Sequence, residues 1–202
     1  MSGYHRKDAF HQRAKREGYR SRAAYKLAEI ADRHALLPPG ARVADLGCWP
    51  GGWLQVAAER VGPTGRVVGV DLAAMEPPLG IANAIAIQGD FAEPRVLQAV
   101  LDALGGPADV LLSDAAPRLT GVRATDRARE EALLEAVRAA LPILLRPGGD
   151  LLCKLLDSPE ADAIGRRLGA GFREARTLRP EATRKGSAER YLLARGHQRK
   201  GR

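Results

Sequence analysis

Four charged residues lie where the surrounding sequence is apolar. Lys154 sits inside Leu151-Leu152-Cys153-Lys154-Leu155-Leu156, and Asp114 closes Asp109-Val110-Leu111-Leu112-Ser113 ahead of Ala115-Ala116-Pro117. Glu189 opens Arg190-Tyr191-Leu192-Leu193-Ala194, and Lys26 lies within Ala23-Ala24-Tyr25-Lys26-Leu27. A lysine in a strand of such hydrophobicity is costly unless paired. Any one pair, Lys154 with Asp114 for instance, reads first as a structural ion pair. Four such residues able to meet beside a ligand pocket point instead to a site that handles a proton.

A second group of residues describes a pocket. The apolar stretch from Arg42 to Leu46 runs into Gly47-Cys48-Trp49-Pro50-Gly51-Gly52-Trp53, and Val67-Val68-Gly69-Val70 then ends on Asp71. Strand, glycine-rich turn, helix, strand and terminal acid form a βαβ unit shaped for a nucleoside. Asp71 can accept both hydroxyls of a ribose. The dinucleotide pattern Gly-x-Gly-x-x-Gly needs glycine at 49, where Trp49 stands; its bulk obstructs the close approach of a pyrophosphate. A nucleoside without phosphates fits better, and S-adenosylmethionine is one. A glycine-rich turn in an ordinary α/β core is the other reading of the loop alone.

Several elements must hold these residues in place. Strands are predicted at 42–46, 66–71, 84–88, 109–113, 149–155, 172–178 and 189–195. Helices are predicted at 22–36, 53–61, 94–104, 126–145 and 159–169. Ser21 is a candidate N-cap for the first helix and Ser158-Pro159 a start signal for the last. Residues 1–20 read as an irregular basic arm. The alternation predicts an α/β fold with a mainly parallel seven-stranded sheet and helices on both faces. Asp45, Gly47, Asp71, Asp90, Asp114 and Lys154 then fall at strand carboxyl ends, where ligands collect. The reading is a basic arm over 1–20, one domain over 21–196 and a basic tail over 197–202.

Composition bounds the function. The 202 residues suffice for one core, and no apolar run is long enough for a membrane span. The charged start, His5-Arg6-Lys7-Asp8, is unlike a secretory signal. The two cysteines, Cys48 and Cys153, have no metal-type spacing, so no metal is expected and a reduced, cytoplasmic protein is. Cys48 reads as a packing residue. The net charge of +8 divides unevenly: +6 over residues 1–26, +6 over 184–202, and −4 between them. Positive charge concentrated at both ends suggests a polyanionic partner; solvated tails are the alternative. Tyr4, Phe10, Tyr19 and Tyr25 lie in the basic N-terminal part, either to stack on bases or to anchor the arm.

Taken together, Ser21-Arg22-Ala23-Ala24-Tyr25-Lys26-Leu27, the Asp45–Trp53 loop, Val70-Asp71-Leu72, Gln88-Gly89-Asp90-Phe91, Ser113-Asp114-Ala115-Ala116-Pro117 and Ser187-Ala188-Glu189-Arg190-Tyr191 make the chain recognisable. From about Gly18 to Gly196 it resembles the FtsJ/RrmJ (RlmE) family of ribosomal RNA 2′-O-ribose methyltransferases. The resemblance implies the Rossmann-like S-adenosylmethionine-dependent methyltransferase fold. It implies a catalytic tetrad of Lys26, Asp114, Lys154 and Glu189, with Lys154 the principal member. It also implies S-adenosylmethionine contacts from Gly51, Trp53, Asp71, Asp90 and Asp114, with Phe91 over the adenine. The implied reaction is methylation of RNA, a uridine of large-subunit (23S) ribosomal RNA, by a monomer that needs no membrane.

The chain departs from the family pattern at Cys48-Trp49, at Arg118, and at Leu155-Leu156-Asp157. Ser113-Asp114-Ala115-Ala116-Pro117 lacks the aromatic of amino-directed nucleic-acid methylases, and neither cysteine lies in a motif suited to a base-methylating nucleophile. Three alternatives stay open: a transfer RNA 2′-O-methyltransferase of the same family, a non-catalytic RNA-binding ribosome assembly factor, and a small-molecule methyltransferase. The intact tetrad argues against the second and the basic ends against the third.

Overall fold

The computed structural model describes residues 9–117, 120–183 and 186–198. Seven strands, β1 (Arg42–Leu46), β2 (Arg66–Asp71), β3 (Ala84–Gln88), β4 (Ala108–Ser113), β5 (Leu145–Leu156), β6 (Phe172–Leu178) and β7 (Glu189–His197), form one sheet in the order β3-β2-β1-β4-β5-β7-β6. The first five are parallel; β7 runs antiparallel between β5 and β6. Chain direction reverses its course across the sheet between β1 and β4, which is where an open α/β sheet binds ligands.

Strands buried on both faces read as continuous apolar runs, and β1, β2 and β4 are of that kind. One face is covered by α2 (Ala23–His34) and α3 (Gly52–Val61), whose Leu27, Ile30, Leu54 and Val61 meet Val43, Val67 and Leu112. The other is covered by α4 (Pro94–Leu104), α5 (Arg123–Leu144) and α6 (Pro159–Gly169), packed on Leu46, Val68, Leu111 and Leu151. The start of α6 is as predicted: Pro159 opens it and Ser158 Oγ accepts the Ala161 N–H at 3.0 Å. Among the described residues no helix is long and apolar enough to cross a membrane.

Three details differ from the sequence reading. The described part of the basic arm is a helix, α1 (Ala9–Glu17), not irregular chain. Its anchor is tertiary: Phe10 and Tyr19 pack on Tyr25 at 5.6 Å each, and the Arg13 guanidinium lies 4.7 Å over the same ring. These rings therefore fasten the helix to α2 and are not free for bases. Tyr4 and the charged residues of 1–8 and 199–202 lie outside the described residues, as does Arg118. Ser21 does not cap α2; Arg22 occupies the N-cap place with no side-chain capping hydrogen bond, and Ser21 Oγ packs on Gly52, where an added Cβ would clash with it. Finally, β5 begins at Leu145, running through Pro147-Gly148-Gly149 by a register shift against β4 between Ala108 and Val110.

Candidate active site

The two lysines and two carboxylates predicted to meet do so at the carboxyl end of the sheet, as two ion pairs. Lys154 Nζ lies 3.2 Å from Asp114 Oδ1 and also donates to the Asp114 carbonyl oxygen. Lys26 Nζ lies 2.7 Å from Glu189 Oε2. Both lysines are buried, at 8% and 4% exposure. The register explains the meeting. On the antiparallel β5–β7 pair, Lys154 lies opposite Tyr191 and Leu156 opposite Glu189. Tyr191 and Glu189, two residues apart, share a face of β7. That face is the one α2 covers, so Lys26 reaches it from above.

Tyr191 links the two pairs, a role that sequence reading left unassigned although the residue lay in a quoted motif. Its hydroxyl donates to Asp114 Oδ1 at 2.8 Å, and its ring lies 5.7 Å beneath Lys26 Nζ. The signal available was its spacing of two from Glu189. Burial, then the neighbouring Asp114 carboxylate, pushes the Tyr191 hydroxyl far up, so it stays a donor. Burial works to raise the Glu189 carboxyl, but the hydrogen bond and charge of Lys26, with help from Lys154, hold it below the usual range.

The chain leads from Asp114 into the wall of an open cavity of about 590 Å³, with Gly47, Asp71, Asp90, Phe91 and Ala115 among its lining. Asp71 accepts the N–H groups of Trp49 (3.0 Å) and Ala73 (2.9 Å), and Asp90 that of Ala92 (2.8 Å). These bonds aim each carboxylate from its strand end and leave it further lone pairs. Gly47 has φ +79°, and a Cβ there would fall 2.5 Å from Ala115 Cβ. The two turns that flank the cavity thus touch, and only glycine permits it.

The other predicted contacts stand apart from that cavity wall. Gly51, at φ +106°, caps α3 and packs against Arg20, Met75 and Leu79. Trp53 is buried; its indole N–H donates to the Ala23 carbonyl at 2.9 Å and its ring rests 5.8 Å from that of Tyr191. Arg20 was not foreseen. Its guanidinium donates to the carbonyls of Pro77 (2.7 Å) and Pro78 (2.6 Å) and reaches that of Pro50 at 3.5 Å. It fastens the glycine turn to the segment after β2.

Asp45 is the unexpected group. It lies at 1% exposure under the glycine turn, and neither carboxylate oxygen has a hydrogen-bond partner. Burial above all, then repulsion from Asp114 and Asp71, drives its carboxyl well above the ordinary range. Cys48 and Cys153 are buried thiols, both pushed up by burial, Cys153 to about 12. Neither is a nucleophile at neutral pH.

A cavity at the sheet's switch point, whose wall begins at Ala115 directly after Asp114, is matched by the sequence comparison. A family model described as FtsJ-like methyltransferase matches residues 19–197. The chain belongs to that family. It is 47% identical over 193 residues to a protein of Alkalilimnicola ehrlichii named ribosomal RNA large subunit methyltransferase E, covering 95% of this chain and 91% of the relative. A Rhodopseudomonas palustris protein of the same name is 45% identical over 192 residues, 94% of this chain and 80% of the relative. Among solved structures, a ribosomal RNA methyltransferase from Plasmodium falciparum superposes with TM-score 0.76 at 26% identity, covering 90% of this chain and all (100%) of that one. Aeropyrum pernix fibrillarin, solved with S-adenosyl-L-methionine, shares the fold: TM-score 0.62 at 19% identity, 85% of this chain and 75% of that one.

Proposed function

We propose that this FtsJ-like methyltransferase moves a methyl group from S-adenosylmethionine to a ribose 2′-oxygen of large-subunit ribosomal RNA, with a uridine as target. The observation that carries the reading is the pair of buried lysines, each on its own carboxylate, with Asp114 leading directly into the Ala115-Ala116 wall of a large open cavity.

The residues present fit the cofactor. Asp71 suits the ribose hydroxyls, Asp90 the adenine amino group and Phe91 the adenine face. Asp45, buried beneath the glycine turn with neither carboxylate oxygen hydrogen-bonded, offers acceptors on that side. When bound, S-adenosylmethionine supplies an electrophilic sulfonium methyl. The chain's own groups do the rest. Lys154 is the catalytic residue: its Nζ meets the 2′-hydroxyl and, having first released a proton to solvent, takes the hydroxyl's as the oxygen attacks, ending as the ammonium that Asp114 pairs. Asp114 holds Lys154 from two oxygens, and the Tyr191 hydroxyl holds Asp114. Lys26 and Glu189 bound the other side of the ribose. Positioning supplies much of the rate, because the hydroxyl meets groups already fixed by strand register.

The relatives' names, which specify large-subunit ribosomal RNA, support that substrate. The exposed Lys15 and Arg16 of α1, with the basic residues at both ends, serve as phosphate contacts in a protein that works as a cytoplasmic monomer. Mapping 2′-O-methyl sites in ribosomal and transfer RNA from cells with and without the protein tests the reading. Loss of a single uridine methyl in large-subunit RNA is expected. A site lost only from transfer RNA moves the substrate class, and no lost site in either sinks the assignment.

A further inference from the structure

Trp49 is the one large aromatic side chain that the described surface leaves open. Trp49 is 55% exposed, whereas the other tryptophan, Trp53, is 3% exposed in the core. Leu72 is 70% exposed. The two flank a single carboxylate: the Trp49 N–H donates to Asp71 Oδ2 at 3.0 Å, and Leu72 follows Asp71 in sequence and lines the cavity mouth. We propose that the Trp49 indole is a stacking platform for an unpaired base of the RNA substrate, one that neighbours the target nucleotide. The proposal rests on the RNA reading above.

The turn holds the indole outward. The N–H groups of Gly47 and Cys48 both bond the Val70 carbonyl, and the Gly51 N–H bonds that of Cys48 at 2.7 Å. Cys48 takes the inward place, so close to β2 that a Cβ on Gly69 would meet its Sγ at 2.6 Å. With the backbone so fixed, an indole has only two side-chain torsions to order when a base lands on it. Every base offers a π-face, and the Arg20 guanidinium beside Pro50 adds positive charge next to the platform.

Other occupants fit less well. The indole is not part of the wall of the cofactor cavity. Two apolar side chains make a patch far below the roughly 1,000 Å² of a protein interface. Spacing selects the nucleotide. Trp49 follows β1 and Lys154 lies on β5, with β4 alone between those strands. That separates the platform from the Lys154 side by about two inter-strand spacings, ~10 Å. A nucleotide at Lys154 cannot also reach Trp49, but its neighbour along an unpaired strand can.

The test uses the full chain with unmodified large-subunit ribosomal RNA transcript. Trp49→Ala should raise the KM for RNA roughly 5- to 100-fold, the range for losing one base–aromatic stack. It should leave kcat and the affinity for S-adenosylhomocysteine within about twofold, since Trp49→Ala keeps the N–H that serves Asp71. Trp49→Phe should recover most of the loss and Trp49→Leu little. RNA should also quench the exposed tryptophan emission of the wild type and not that of Trp49→Phe. An unchanged RNA KM in Trp49→Ala, equal losses in Phe and Leu variants, or a loss confined to S-adenosylhomocysteine binding would overturn the platform. A wild-type protein that methylates no RNA ribose would instead overturn the function, and the fluorescence arm still reads whether a base stacks.

Discussion

The two lysine–carboxylate pairs look alike in chemistry and differ in construction. Lys154 and Asp114 come from neighbouring parallel strands, and Asp114 retains a second donor in the Tyr191 hydroxyl. Lys26 and Glu189 join a helix near the start of the chain to a strand near its end. Remove Lys154, and Asp114 still has a partner. Remove Glu189, and Lys26 is left buried with its carboxylate partner gone. The first pair can lend its lysine to chemistry with little cost to the fold; the second is also a tertiary clamp. Charge alone does not separate these roles, but the partners left behind after a deletion do.

The largest effect should come from Lys154→Ala. Loss of proton handling typically costs about 10²–10⁴-fold in kcat, and lost orientation adds to it. Melting temperature and S-adenosylhomocysteine affinity should stay near those of the wild type, because Tyr191 keeps Asp114 hydrogen-bonded. Single-turnover methylation and a thermal melt on the same sample check both halves. A folded Lys154→Ala protein with near-normal turnover would remove the lysine from the mechanism.

Glu189→Ala should reverse the proportions. Breaking a fully buried pair costs about 3–5 kcal/mol. The Glu189 side chain is about a quarter exposed (24%), which moderates the loss through solvent screening. A loss of roughly 1–3 kcal/mol in urea titration is expected, larger than that for Lys154→Ala. Lys26→Ala should lose less stability than Glu189→Ala, since it leaves a partly solvated carboxylate rather than a buried ammonium. Equal stabilities for Lys154→Ala and Glu189→Ala would erase the distinction between the pairs.

Much of this was legible in the sequence, for reasons that also explain the exceptions. The strands were predictable where both faces are buried, since β1, β2 and β4 are continuous apolar runs. The four charges of the two ion pairs were legible because a charge amid apolar residues is conspicuous. Helix α1 was not, because its sequence is mostly polar and its anchor is a cluster of rings built on Tyr25 of α2. The early start of β5 was hidden by Pro147-Gly148-Gly149, which reads as a break unless a shifted register absorbs it. Gly149 fits there because a Cβ would lie 2.9 Å from the Asp109 carbonyl oxygen. Asp45 was visible as a strand-end acid, but its lack of a partner is a property of packing. Trp49 was visible as an obstacle to pyrophosphate, and only its exposure suggests a further use.

The smallest effect contrasts two carboxyls with opposite shifts. Glu189 is held below its ordinary 4.5, so the folded state releases its proton more readily than the unfolded chain. Its stabilisation is present above that value and is lost as pH falls through the folded pKa. Asp45 is driven well above its ordinary 3.8, so the folded state keeps its proton longer. Its burden is absent at low pH and grows as pH rises from about 4 towards its folded pKa. Asp45→Asn removes the titration and nearly preserves the shape, and an amide N–H can donate to the nearby Asp71 or Asp114 carboxylate. Its melting temperature should exceed that of the wild type at pH 8, by about 2–4 °C if the relief is near 1 kcal/mol. The gap should shrink as pH falls towards 4. Glu189→Gln should behave in the opposite sense, trailing the wild type at pH 8 and approaching it below pH 4. Melts of the three proteins from pH 3.5 to 8 check the crossing. Parallel curves for wild type and Asp45→Asn would mean that Asp45 gains a partner in solution and carries no burden.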